Sequence, residues 1–221
     1  MPNTGPYSII LFLGLPVLGY LLGSIPWGVV LTRLFTPIDI RSQGSGNIGA
    51  TNVSRVAGST LGLLTFIGDV LKGALPVFLA LFTSENKTWS NDIYFSIVAL
   101  AAFAGHLYPL FMKFKGGGKG VATAAGCVVV LAPIACLSSL LVFVLFFFVS
   151  QRISLGSLSA AVGLPVAVWF TTQSVELTCT AAIMSVFIFI RHTDNIKRLI
   201  SGTEPKFREK NADVKNPTTT R

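Results

Sequence analysis

Long apolar runs separated by short polar loops organise the chain: about Tyr7–Leu31, Thr60–Phe82, Ile93–Met112, Val121–Val149 and Leu158–Ile190. A membrane-crossing helix needs roughly 20 apolar residues, so the first three runs each predict one span. The last two overrun that length, and each holds an interior breaker. These are Pro133 in one and Thr171-Thr172-Gln173-Ser174 with Glu176 in the other. The placement of charge decides how often they cross. Arg33 and Arg41 follow the first run, and Lys113, Lys115 and Lys119 follow the third. Arg152 follows the fourth, and Arg191, Lys197 and Arg198 follow the last. Cations favour the cytoplasmic side, so the N-terminus is expected outside and each long run must cross an even number of times. Two short helices per run gives seven spans, with five or six as the alternatives. A pair fitted into Val121–Val149 is short enough to thin the bilayer or to form a shallow re-entrant pair. Every Lys and Arg then faces the cytoplasm except Lys72, inside a span, and Lys87, outside beside Glu85 and Asp92.

The expectation is an all-α integral membrane protein, a bundle of about seven short transmembrane helices with its N-terminus outside and its C-terminus cytoplasmic. The first run has no basic stretch before it and no small-residue cleavage site after it, so it reads as a retained span. Residues 1–202 form one transmembrane domain. The stretch 203–221 is polar and charged, with Phe207 as its one aromatic residue, and reads as a disordered cytoplasmic tail able to rest on anionic headgroups. The totals agree: 52% of residues are hydrophobic and 12% charged, against about 25% charged in soluble domains. A net charge of +8 raises the question of nucleic acid. The cations lie between apolar runs, however, and no helix-turn-helix or basic-aromatic pattern is present. Cys127, Cys136 and Cys179 sit in apolar runs without metal-ligand spacing, and read as small buried hydrophobes. With two histidines and nine scattered acids, no metal site is expected.

Three polar loops carry the candidate chemistry. Gly44-Ser45-Gly46-Asn47-Ile48-Gly49-Ala50-Thr51-Asn52, closed by Arg55, holds more hydrogen-bonding groups than a turn needs, and no Gly-Lys-Ser or Gly-Lys-Thr follows to suggest nucleotide hydrolysis. Phe114-Lys115-Gly116-Gly117-Gly118-Lys119-Gly120 suits close backbone approach to an anion, with Lys119 opening the next helix. Arg191-His192-Thr193-Asp194-Asn195-Ile196-Lys197-Arg198 places His192 and Asn195 three apart, on one helical face. Glycine backbone freedom beside fixed positive charge makes a phosphate cradle. Ser154 and Ser157 share the three-residue spacing, but serines in membrane helices usually bond their own backbone and read as structural on residue type alone. Asp69 and Lys72 fall inside a span, where an unpaired charge is costly. Their spacing allows an ion pair serving as scaffold, and Pro76 with Gly73 could break the helix nearby.

These residues, in this order, make the chain similar to the bacterial membrane-embedded acyl-phosphate:glycerol-3-phosphate acyltransferases. The matching stretches are Gly23-Ser24-Ile25-Pro26, Asp39-Ile40-Arg41 with the Gly44–Arg55 loop, and Asp69-Val70-Leu71-Lys72-Gly73. Gly105-His106-Leu107-Tyr108-Pro109, Phe114 to Thr123, Ser154 to Ser157 and Arg191 to Leu199 complete the series. The resemblance implies seven short helices in the bacterial inner membrane around a cytoplasm-facing pocket. It implies transfer of a fatty acyl group from acyl-phosphate to the 1-hydroxyl of sn-glycerol 3-phosphate, giving lysophosphatidic acid and phosphate, without a cofactor. Family site residues fall on Ser45, Arg55, Lys119, Ser157, His192 and Asn195. With the loop reading, the candidate catalytic set is Ser45, Arg55, Lys119 and His192. The candidate substrate-binding set adds Gly44, Gly46, Asn47, Lys115, Ser157 and Asn195. Expected partners are glycerol 3-phosphate, fatty acyl-phosphate, membrane lipids and a soluble enzyme that makes acyl-phosphate.

One departure is visible: the family's usual run is Phe-Lys-Gly-Gly-Lys-Gly, and this chain has a third glycine between Lys115 and Lys119. Acyl-phosphate is a mixed anhydride and already activated, so the inventory points to orientation and charge neutralisation rather than to an acyl-enzyme. The attacking hydroxyl's proton can pass to the donor's phosphate or to His192. The His-x4-Asp pair of the other large glycerolipid acyltransferase class is missing, since Phe111 and Lys197 stand at the positions after His106 and His192 where its aspartate would lie. An anion channel would line polar residues across the bilayer, and a metal-dependent phosphotransferase would cluster aspartates; neither pattern is present.

Overall fold

The structure, a computed structural model, describes residues 6–84 and 89–207, with side chains placed for residues 13–84 and 91–207. Every element among them is helical. The first apolar run forms α1 (Pro6–Gly23), which bends by 45° into the short α2 (Trp27–Phe35). Pro26 stands at that bend because it cannot donate to the helical ladder. The carbonyl of Ile25 left over at the bend accepts a 2.9 Å hydrogen bond from Lys72 Nζ. The first polar loop leads into α3 (Ala50–Ala57), and Gly58, at φ 98°, turns it directly into α4 (Ser59–Phe82).

Asp69 and Lys72 pair at 2.8 Å on α4, as the spacing allows. Gly73 and Pro76, which could have broken the helix, do not, and α4 runs unbroken to Phe82. Gly73 serves packing instead: a Cβ there would lie 2.2 Å from the carbonyl oxygen of Thr123, and one at Gly126 would lie 2.0 Å from that of Val70. Two glycines thus let α4 and the helix opposite approach backbone to backbone, as small residues do between membrane helices.

The central helix is α5 (Trp89–Leu107), which packs on α1, α4 and two of the helices that follow it. Its Val98, Ala99 and Ala102 are fully buried. Beyond it, Val121–Val149 divides at Pro133 into α6 (Val121–Leu131) and α7 (Pro133–Ser150). Leu158–Ile190 divides at Gln173 and Ser174 into α8 (Ile153–Thr172) and α9 (Val175–Arg191), with the Ser174 hydroxyl capping α9 at Leu177 N. A 62° bend at His192 leads into α10 (Thr193–Ile200).

Among the described residues, α4, α5, α7 and α8 are each long and apolar enough to cross a membrane. Taking α1–α2 and α9–α10 as bent single spans raises the number to six. The seventh expected span is α6, and its 11 residues extend only about 16 Å against a hydrocarbon core of about 30 Å. The shortness expected of the pair in Val121–Val149 therefore falls on α6 alone. Lys87, assigned to the outer side from charge, lies outside the described residues, as does the tail beyond Phe207.

The tail expectation is corrected at its start. Thr203–Phe207 folds back on the bundle, with Glu204 buried and the Phe207 N–H bonded to the Gln151 carbonyl at 2.8 Å. The Phe207 ring meets Phe147 edge to face at 5.7 Å. A polar stretch is ordered here because its one buried carboxylate finds several donors at once.

Candidate functional site

The first loop is organised by Asn52, on α3. Its Nδ2 donates to the carbonyls of Asn47 at 2.9 Å and Gln43 at 3.1 Å, and its Oδ1 accepts from Ser45 N at 3.0 Å. Gly44 and Gly46 adopt φ of 59° and 68°, and a Cβ on Gly44 would strike Asn52 Oδ1. The Asn47 side chain closes on its own loop, accepting from Gly49 N at 2.8 Å. Much of the loop's density of hydrogen-bonding groups is therefore spent on holding its shape. That shape points Ser45 and Asn47 inward and presents Arg55 from the next turn of α3.

The second loop begins with a turn in which Lys113 and Phe114 take left-handed φ values of 55° and 62°. Three different needs explain its three glycines. Gly116 has φ 67°, Gly117 lies where a Cβ would be 2.0 Å from the Leu107 carbonyl, and Gly118 lies where one would be 2.1 Å from His106 Nε2. The loop ends at Gly120 (φ 87°), the N-cap of α6, which offers no side chain to the helix's first N–H groups.

Ser45, Asn47, Arg55, Lys119, Ser157, His192 and Asn195 all line one cavity of about 390 Å³. The start of α6 opens onto it through Gly120, Val121 and Ala122, so unpaired helical N–H groups face the same space. Phe66, Phe143, Ile153 and Phe207 supply an apolar wall. Gly44, Gly46 and Lys115 are not among the lining residues, and Lys115 is exposed. The two glycines act through backbone shape. Lys115 precedes the close-packed Gly117-Gly118 step, which turns only Lys119 inward.

Electrostatics separates the roles. Lys119 Nζ donates to Asn195 Oδ1 at 2.5 Å. Burial, countered by Glu204 and reinforced by Arg198 and Arg55, pushes the Lys119 ammonium down to about 8. His192 is 3% exposed, and burial together with the Lys119 charge pushes its imidazole down to about 4. Its Nδ1 stands 2.8 Å from the Ile188 carbonyl. A carbonyl can only accept, so Nδ1 carries the proton and Nε2 presents a lone pair.

Glu204 escaped the sequence reading. Its Oε1 accepts from Ser154 Oγ and from Asn195 Nδ2, both at 2.6 Å, and its Oε2 accepts from Arg198 Nε at 2.7 Å. These donors outweigh burial and hold its carboxyl below the ordinary value. Ser154 and Ser157 both line the cavity, and the Ser154 hydroxyl is committed to Glu204. Asp69 and His106 also reach the cavity, with His106 Nδ1 3.6 Å from Asp69 Oδ1. Among the described residues no group of three or more His, Cys, Asp or Glu side chains stands together as a metal site would require.

Comparison with known proteins bears directly on this arrangement. Residues 13–202 match the family described as glycerol-3-phosphate acyltransferase. A glycerol-3-phosphate acyltransferase of Syntrophotalea carbinolica is 50% identical over 189 residues, covering 86% of this chain and 94% of the relative. One of Myxococcus xanthus is 46% identical over 193 residues, covering 87% and 98%. Among solved structures, the integral membrane glycerol 3-phosphate acyltransferase PlsY in its glycerol 3-phosphate form superposes with a TM-score of 0.82 at 38% identity. That match covers 88% of this chain and 94% of the other. Its lysophosphatidic acid form gives 0.80 at 37% identity. With the family match reaching from within α1 to the end of α10, and relatives matched over most of their length agreeing in sequence and in fold, this multi-pass membrane protein belongs to the glycerol-3-phosphate acyltransferase family.

Proposed function

We propose that this acyltransferase moves a fatty acyl group from acyl-phosphate to the 1-hydroxyl of sn-glycerol 3-phosphate, releasing lysophosphatidic acid and inorganic phosphate. The observation that carries the reading is one cavity lined both by cations, Lys119 and Arg55 with the start of α6, and by apolar rings, Phe66, Phe143 and Phe207. Such a mixed lining suits phosphate groups and an acyl chain together. The related PlsY structures in glycerol 3-phosphate and lysophosphatidic acid forms support the acceptor and the product.

In the reaction, the glycerol oxygen attacks the acyl carbon. The carbon–oxygen bond to phosphate then breaks, and the phosphate leaves with the electron pair. Lys119, Arg55, Ser45 and the N–H groups of α6 neutralise and hold the two phosphates, which fixes the hydroxyl against the carbonyl carbon. His192, Asn195 and Ser157 hold the glycerol phosphate. The departing phosphate can take the hydroxyl proton itself. His192 Nε2, as a neutral acceptor, offers a second route. None of the three cysteines lines the cavity, and an activated donor needs no acyl-enzyme.

We place the N-terminus outside and the site on the cytoplasmic side of the inner membrane, where the loop cations gather. Glycerol 3-phosphate and a soluble acyl-phosphate-producing enzyme would meet the site there. Purified protein given palmitoyl-phosphate and labelled glycerol 3-phosphate should form labelled lysophosphatidic acid and phosphate in equal amounts, in the presence of excess EDTA. Comparable turnover with acyl-coenzyme A alone, or reversible loss on chelation, would refute the reading.

A further inference from the structure

Arg191 ends α9 one residue before His192 and does not line the cavity. Its guanidinium donates through Nε to the Gly118 carbonyl at 3.0 Å, and through Nη2 to the Gly117 carbonyl. His106 meets the same backbone from α5. Its carbonyl accepts the Gly118 N–H at 3.2 Å, and its ring lies so close to Gly118 that no side chain fits between them. The ring is backed in turn by Asp69, whose carboxylate is paired with Lys72. Both polar groups of Gly118 are therefore held, the N–H by α5 and the C=O by α9, one residue before Lys119.

We propose that Arg191 is a positioning residue for Lys119: by seating the Gly117-Gly118 backbone on His106, it fixes the start of α6 so that the Lys119 ammonium stands in the cavity before any substrate arrives. A guanidinium is suited to this because its planar fork donates to two carbonyls at once, which a lysine ammonium on a flexible stem does less well. The Gly118 carbonyl also shares a peptide unit with the Lys119 N–H, so a cation on its oxygen polarises that N–H into a stronger donor. Pre-set geometry matters here because the reaction is accelerated mainly by orientation and charge. The inference rests on the reading of Lys119 as a phosphate ligand.

A double-mutant cycle of Arg191→Lys with Lys119→Ala tests it, reading kcat/KM and the Kd for glycerol 3-phosphate in detergent-purified, monodisperse protein. Arg191→Lys alone should lower kcat/KM by about tenfold or more, the worth of a charge-assisted contact. In the Lys119→Ala background the same change should cost less than about twofold, because the group it positions is already gone. Independent, multiplying losses would overturn the proposal, and so would an unchanged Arg191→Lys. If Arg191→Lys is not recovered as folded protein, Gly118→Ala displaces the same loop with Arg191 intact and enters the same cycle with the same two outcomes. Wild-type protein inactive on glycerol 3-phosphate would refute the proposed function. An active wild type and an impaired Lys119→Ala with multiplying losses would refute the positioning role alone.

Discussion

Replacing Lys119 by Ala removes one ammonium from the cavity and leaves Asn195 Oδ1 without its 2.5 Å donor. A hydrogen bond to a charged group contributes about 1.5–3 kcal/mol, and about 1.4 kcal/mol corresponds to tenfold, so acyl transfer should fall roughly tenfold to 150-fold. The neighbouring lysines make the control. Lys113 and Lys115 carry the same charge within six residues of Lys119, but both are exposed and neither lines the cavity. Their Ala variants should retain activity within about twofold, the residual change reflecting a screened surface charge. The assay is steady-state kinetics with both substrates varied, beside size-exclusion profiles and thermal unfolding to show that each variant is folded. Equal tolerance of Ala at all three positions would mean that these cations only set topology, and the phosphate-cradle reasoning would be wrong. A loss at Lys115 matching that at Lys119 would show instead that the loop rearranges around the substrate.

The held-down Lys119 gives a pH signature: it is cationic below about pH 8 and neutral above, so phosphate binding should weaken as pH rises through that value. Lys119→Arg should remove this alkaline limb while retaining activity, and an unchanged limb in that variant would assign it elsewhere. Glu204→Ala strands the Asn195 amide and the Ser154 hydroxyl, both buried, and should cost on the order of 1.5–3 kcal/mol in stability. Thermal unfolding in detergent within a degree of wild type would contradict that. Deleting Gly116, whose surroundings are open apart from Met112, should be tolerated, whereas Gly117→Ala should not, because its Cβ would meet the Leu107 carbonyl at 2.0 Å. Activity of both variants reads the difference, and the opposite ranking would mean that the additional glycine is absorbed inside the cavity. Single-cysteine labelling at Ser42, Gln151 and Thr203, none of them buried, should report all three from the cytoplasmic side, and labelling at Gln151 only from outside would overturn the topology.

The helices were legible because burial in lipid leaves little freedom: an apolar run must be helical, and its length and breakers set how often it turns. Pro133 and Gln173-Ser174 divide the two long runs where sequence places them. Pro76 shows the limit of that logic, since a proline within a long packed helix can be accommodated by its surroundings. The site was legible at its cations and at His192 and Asn195, whose spacing survives as the N-cap and first turn of α10. Glu204 was not legible. It belongs to a polar stretch with no periodicity, and its burial depends on donors from Ser154, Asn195 and Arg198, which only the bends after α7 and α9 bring together. On sequence, Lys119 is favoured over Lys115 because it opens the next helix, but both are expected to meet the anion. The backbone path through Gly117-Gly118, fixed by contacts with α5 and α9, separates them.

Glu204 also explains how one cavity can hold Arg55, Lys119 and Arg198 together. Arg198 and Arg55 disfavour the Lys119 charge, and burial disfavours it most. Without compensation the ammonium would hold its proton less tightly. Glu204 opposes this in two ways. Its charge raises the affinity of Lys119 for its proton, and its Oε1, by accepting from Asn195 Nδ2, turns Asn195 Oδ1 toward the ammonium. The compensation is partial, which leaves Lys119 charged at neutral pH but short of full stabilisation. A phosphate dianion can supply what is missing, so binding energy is gained when the anion enters rather than being satisfied beforehand by a tighter internal ion pair. A direct Lys119–Glu204 pair would silence the ammonium. One amide placed between them keeps it available.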